Sequence, residues 1–176
     1  MTTYVALLRG INVGGSHKLP MADCRAYIGE IGGTDVVSYI QSGNLVFDHD
    51  APESDLAPEL TRHLGERAGF PVPVMLRAAS AWAGVVARNP FGPQPHTALH
   101  VAFLAEPPAP EVLGDVDWTP FLPSRIESSG RELYLFLPDG VGRSKLVQRL
   151  GRLPLETTMR NWRTVEALTA LLAERP

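Results

Sequence analysis

The sequence predicts an α+β protein of two tandem ferredoxin-like βαββαβ repeats with an added C-terminal helix. Apolar periods in the first half run in the order β-α-β-β-α-β, the split βαβ plan. The same order returns after a Pro-rich joint, Asn89-Pro90-Phe91-Gly92-Pro93-Gln94-Pro95. The central hairpins of the two halves, over residues 40–47 and 126–136, also resemble one another in sequence. The joint sets the expected division: a first half over residues 1–88, and a second over 89–176 that carries the last helix.

Each element has its own signal. Residues 3–9 open with a continuous apolar run, which reads as a strand buried on both faces. Met21, Cys24, Ile28 and Ile31 fall at helical spacing behind Pro20, which suits a first helical turn, and Gly32-Gly33 ends that helix. Residues 36–40 and 44–47 are β-rich and joined across Ser42-Gly43, a two-residue hairpin signal. Residues 48–55 are acidic and read as a solvated loop. Leu56, Leu60, Leu64 and Ala68 mark a second helix closed by Gly69. Val72, Val74 and Leu76 alternate as a strand, and Pro73 sends that strand to a sheet edge.

In the second half, residues 81–86 read as a connecting helix, 98–104 as a strand and 111–117 as a short helix. Residues 125–128 and 132–137 form the second hairpin, and 144–150 a helix. An extended piece at Thr157-Thr158 leads into a last helix carrying Trp162, Val165, Leu168 and Leu172.

Bulk properties narrow the function. The chain has 176 residues, 44% hydrophobic and 20% charged, as ordinary globular proteins do. A chain this long buries roughly 70% of its unfolded surface. The net charge is −3 and the pI about 5.9, so no overall basic field draws it to nucleic acid or anionic lipid. Any anion site must therefore be a local cluster. The amino terminus lacks a basic n-region and its apolar run stops at Arg9, so no signal peptide is expected. With no apolar stretch long enough for a bilayer, the expectation is a cytoplasmic protein without a membrane partner. A single Cys24 excludes an internal disulfide and a multi-Cys metal site.

The stretch Arg9-Gly10-Ile11-Asn12-Val13-Gly14-Gly15-Ser16-His17-Lys18 joins the first strand to the first helix. It is not a Walker A loop, because Ser16-His17 stand where Lys-Ser should follow the second glycine. It is not a dinucleotide fingerprint either, since Asn12 occupies the middle glycine position. What it offers is charge. Arg9 and Lys18 lie beside the first helix start, Arg143 and Lys145 beside the helix over 144–150, and Arg160 and Arg163 beside the last. Cations at helix N-termini are unfavourable by ~0.3–1 kcal/mol each, and a bound phosphate or carboxylate reverses the sign. Two plainer accounts stand beside this one. Long cationic side chains bend into solvent, and positive φ in a tight loop explains Gly10, Gly14 and Gly15 without a ligand.

Other candidates are weaker. Gln41 and Asn44 bracket a turn and commonly bond only nearby backbone. Cys24 lies on an apolar stripe and reads as a small hydrophobe, and Trp162 as a core anchor. His96 and His100 lack a third ligand at a recognisable spacing, so no metal is assigned. His49, between Asp48 and Asp50, reads as part of the acidic loop. No nucleophile motif occurs, so no catalytic residue is named.

Tyr4-Val5-Ala6-Leu7-Leu8-Arg9-Gly10-Ile11-Asn12-Val13-Gly14-Gly15, then Lys18 and Pro20-Met21, then Tyr39-Ile40-Gln41-Ser42-Gly43-Asn44, and finally Thr158 with Arg160-Asn161-Trp162 and Thr164 resemble the bacterial domain-of-unknown-function family 1697. The likeness extends over essentially the whole chain. It implies an α/β protein of two ferredoxin-like repeats, and no established reaction, cofactor or substrate. Its motif positions here are Arg9, Asn12, Gly14, Gly15, Lys18, Gln41, Ser42, Asn44, Arg160, Asn161 and Thr164, with His17 at a variable place. Polar and glycine positions of this kind suit a binding surface.

The leading expectation is a binding protein for a phosphorylated or otherwise anionic small molecule. Its contacts are the motif positions together with Lys145 and Arg163. Nucleic-acid binding is the first alternative: the RRM shares the element order, but the aromatic RNP pattern is missing. A transferase or hydrolase acting on a phosphorylated substrate is the second, and a homodimer formed by paired sheets the third.

Overall fold

The computed structural model describes residues 1–175. It is an α+β chain with two four-stranded antiparallel sheets and, among the described residues, six α-helices. These pack as two units. One comprises residues 1–84 with the described residues from Ala167 onward, the other residues 85–166.

The first unit opens with β1 (Thr2–Leu8), α1 (Met21–Glu30), β2 (Thr34–Tyr39), β3 (Asn44–His49), α2 (Glu53–Ala68) and β4 (Val74–Ala78), followed at once by α3 (Ala79–Ala87). Its sheet order is β2-β3-β1-β4. β1 is central because its side chains from Tyr4 to Leu8 carry no charge and all bury. β4 lies at an edge, as Pro73 requires, and the Pro73 carbonyl accepts the Arg9 amide at 2.9 Å.

The helices seal one face of this sheet. Leu56, Leu60 and Leu64 recur every four residues along α2 and are fully buried against Leu45, Phe47 and Ile28. Burying each such side chain contributes roughly 1.5–3 kcal/mol. Glu53 and Asp55 complement the helix dipole in the first turn of α2, and Gly69 ends it in the left-handed conformation (φ 76°). At the end of α1, a Cβ on Gly33 would stand 2.4 Å from Ile28 Cγ2, so only glycine fits that stop.

Residues 48–55 are not a solvated loop. Asp48 and His49 complete β3, and α2 begins at Glu53. The acids there are matched: Asp48 accepts from Thr3 Oγ1 at 2.5 Å and pairs with Arg175 at 2.9 Å. His49 is buried, with Nε2 2.8 Å from the Ile31 carbonyl and Nδ1 accepting the Ala51 amide. The hairpin connection also differs from expectation. Tyr39 pairs with Asn44, so the link is the four residues 40–43, with positive φ at Ile40 and Gly43.

The second unit contains β5 (Leu99–Leu104), α4 (Pro110–Gly114), β6 (Arg125–Ser129), β7 (Glu132–Phe136), α5 (Lys145–Leu150) and β8 (Thr157–Asn161), after which α6 (Trp162–Ala173) begins. The sheet order is β6-β7-β5-β8. Ala102, Leu104, Leu133, Leu135, Leu146 and Leu150 form the core between this sheet and its helices. Ser144 caps α5 by accepting the Val147 amide at 3.2 Å. The helical cover is shorter here, five residues in α4 against ten in α1, and α4 starts with Pro110 in its first turn, where proline is tolerated.

The two sheets match in register. Val5 pairs with Val46 and Arg77, while Val101 pairs with Tyr134 and Arg160. Tyr4-Val5-Ala6-Leu7-Leu8 thus stands where His100-Val101-Ala102-Phe103-Leu104 does. Arg77 and Arg160 are both buried, and each donates from Nη1 to the carbonyl just before it, Leu76 at 2.8 Å and Met159 at 2.9 Å. A helix follows the last strand in each case, so α6 has a counterpart in α3.

Candidate functional site

The loop between β1 and α1 is pinned at its base by one side chain. Asn12 Nδ2 donates to the Leu19 carbonyl at 2.9 Å and the Gln41 carbonyl at 2.8 Å, and Oδ1 accepts the Leu19 amide at 2.8 Å. Asn12 itself sits at φ 55°, where asparagine is among the few non-glycine residues tolerated. Its amide group therefore fastens the loop to the β2–β3 connection, and it acts by position.

Beyond this staple the chain forms a small hairpin. Val13 bridges Ser16, the Ser16 amide donates to the Val13 carbonyl at 3.2 Å, and the Asn12 amide to the His17 carbonyl at 3.0 Å. Gly14 (φ 59°) and Gly15 (φ 80°) form its tip, the two consecutive positive φ values of a type I′ turn. Residues 13–18 are all exposed, Arg9 likewise, and no carboxylate occurs between residues 4 and 22 or between 36 and 47. The amides of Gly14 and Gly15 have no bonding partner among the described residues. Exposed amides and cations thus share a loop whose own residues carry no negative charge.

The connection between β2 and β3 is equally rigid. Asn44 is fully buried and Nδ2 bonds the Tyr39 carbonyl at 3.0 Å and Ser42 Oγ at 2.9 Å. Gly43 accepts the Leu8 amide at 2.8 Å, and a Cβ there would meet Leu8 Cβ at 2.7 Å. Asn44 and Ser42 thus shape the turn, whereas the Gln41 side chain is exposed. The structure brings together all eight first-unit motif residues, through the Asn12–Gln41 bond.

His17, given no weight from sequence, takes part in this loop. Its ring stacks on Phe70, 4.6 Å between centroids and 18° between planes, with Nδ1 3.2 Å from the Gly10 carbonyl. Nothing local in the sequence points to Phe70, which lies more than fifty positions away.

The second-unit candidates have other surroundings. Arg160 is 7% exposed, alternating inward with Thr158 along β8, and its guanidinium donates to Thr158 Oγ1 at 2.8 Å. Burial pushes its pKa down to about 10. Asn161 Oδ1 accepts from the Thr164 amide and Thr164 Oγ1, both at 2.9 Å, which caps α6. Arg163 and Lys145 are exposed in the first turns of α6 and α5. His96 pairs with Glu166 at 2.7 Å, and His100 is buried in β5. Cys24 is buried, its thiol pushed up to about 12 by loss of solvation. Among the described residues, no helix is long and apolar enough to cross a membrane.

A solved structure of a conserved bacterial protein from Streptococcus pneumoniae is similar to this chain, with a TM-score of 0.80 and 22% identity, covering 97% of this chain and 98% of that one. That likeness establishes the shared fold. No curated protein matches the chain. The sequence model of the family described as protein of unknown function (DUF1697) matches residues 1–134. The matched span holds the loop and the 39–44 motif and ends before Thr158, so the closing motif lies beyond it. The chain belongs to this family, DUF1697.

Proposed function

We propose that the protein binds a phosphorylated or otherwise anionic small molecule at the loop between β1 and α1. Arg9, Lys18, the Gly14 and Gly15 amides and the Gln41 side chain supply the contacts. The observation that carries this reading is the Asn12 staple. It holds exposed cations and free amides beside the β2–β3 connection in a stretch without a carboxylate. Backbone amides in such turns are ready anion donors. Asn12, Ser42 and Asn44 position the loop. Arg160, Asn161 and Thr164 are assigned to the second unit's own structure, since their polar groups already serve β8 and α6. The same proposal includes two ferredoxin-like repeats, supported by the identical strand orders and the matched registers.

Isothermal titration against inorganic phosphate, nucleotides and sugar phosphates tests the site. Binding is expected to at least one of them, weakened tenfold or more in Arg9→Ala and Lys18→Ala. Silence across the whole panel overturns the reading.

A further inference from the structure

The imidazole of His17 is the outer layer of a stack that begins in the core. Phe70 packs against the apolar core of the first unit, and the His17 ring covers it, nearly parallel. Both rings are fixed in place. Phe70 stands between Gly69, the left-handed end of α2, and Pro71, which restricts the backbone of the residue before it. The Gly10 carbonyl can only accept, so His17 Nδ1, 3.2 Å away, carries the proton, and that bond sets the ring's rotation. The Arg9 amide ties the same loop to residues 70–73 a second time, through the Pro73 carbonyl. His17 is nevertheless exposed, and it forms no second ring contact and no ion pair among the described residues. One face of the imidazole is covered by Phe70, and a planar surface is left toward solvent.

Anion donors lie beside that surface. Lys18 follows directly and forms no ion pair among the described residues. Gly15, whose amide has no partner among the described residues, is two positions back. Its Cα is therefore at most about 7 Å from that of His17. This is the scale of the one sugar that separates a base from its phosphate.

We propose that the ligand of this loop is a free nucleotide, its base stacked on the open face of His17 and its phosphate on Lys18 and the Gly14 and Gly15 amides. The proposal rests on the anion site assigned to the loop and adds the aromatic half of the ligand. Every base has a π-face, so stacking on histidine recognises the class and not one base. A single nucleotide fits better than a strand, because a chain of net charge −3 offers no extended basic track for a phosphate backbone.

Isothermal titration at fixed salt with AMP, ribose 5-phosphate, inorganic phosphate and a single-stranded oligoadenylate tests the assignment. AMP is expected to bind about fivefold to a hundredfold more tightly than ribose 5-phosphate, the gain from stacking one base. His17→Ala is expected to remove that ratio. His17→Phe, which loses the Gly10 hydrogen bond but keeps a ring, is expected to retain it. The NMR signals of the His17 ring protons should move upfield with AMP and not with ribose 5-phosphate, and the oligoadenylate should bind no more tightly than AMP. Equal affinity for AMP and ribose 5-phosphate overturns the stacked base and leaves the anion site standing, whereas silence from every phosphate compound overturns both. A ratio that survives in H17A, or an oligoadenylate that binds far more tightly than AMP, also overturns the proposal.

Discussion

Replacing Asn12 with alanine should loosen the loop, and the size of the effect follows from the geometry. Three hydrogen bonds of 2.8–2.9 Å are lost, each with a net value of about 0.5–1.5 kcal/mol. Leu19 is buried, so water replaces the bonds to its backbone poorly, while the Gln41 carbonyl recovers solvent more easily. Alanine must also hold the left-handed φ of 55°, which adds ~1–2 kcal/mol. The sum is about 4 kcal/mol, a fall in Tm of about 8–16 °C for a chain of this size. Asn12→Gly removes the same bonds without the backbone strain and should lose at least about 1 kcal/mol less. Calorimetric and urea unfolding of both variants provides the assay. Equal losses in N12A and N12G would refute the strain component, and a loss below about 0.5 kcal/mol in N12A would refute the staple.

Gly43→Ala combines φ 79° with a Cβ 2.7 Å from Leu8 Cβ and 2.9 Å from Ile11 Cδ1. Strain and overpacking together should cost about 2–5 kcal/mol, read by urea denaturation. Burial lowers the His100 pKa from its ordinary 6.5, with a hydrogen bond from its imidazole to the Ala98 backbone opposing in part. The unfolded chain then binds a proton more readily than the folded one. Stability is therefore full above about pH 6.5 and declines as pH falls toward the lowered folded value. His100→Gln should flatten that part of a Tm-against-pH curve, and an identical curve would contradict the assignment. Cys24, with its thiol at about 12 and fully buried, should resist iodoacetamide under native conditions and react on unfolding; rapid native labelling would contradict its place in the core.

What was legible in the sequence had a local cause. The strand through Leu8, the four-residue spacing of Leu56, Leu60 and Leu64, and Pro73 at an edge each follow from one short pattern, and each appears in the structure. The acidic stretch at 48–55 misled because composition alone does not reveal partners. Asp48 finds Thr3 and Arg175, and His49 finds the Ile31 carbonyl, all distant in sequence. Arg160 misled in the opposite way. Beside a helix start it reads as a surface cation, yet two-residue alternation along β8 turns it inward. The Asn12 staple was out of reach because its partner, the Gln41 carbonyl, is backbone and leaves no trace in side-chain identity. His17 on Phe70 escaped for a similar reason, being a contact between distant positions.

The proposed anion site at the loop is tested most directly by amide NMR of the protein during titration with inorganic phosphate. Saturable shifts at Gly14, Gly15 and Lys18, spreading to Gln41 and abolished by Lys18→Ala, are the result predicted. Shifts that never saturate, or that fall instead on Lys145 and Arg163 with the loop unmoved, would contradict it.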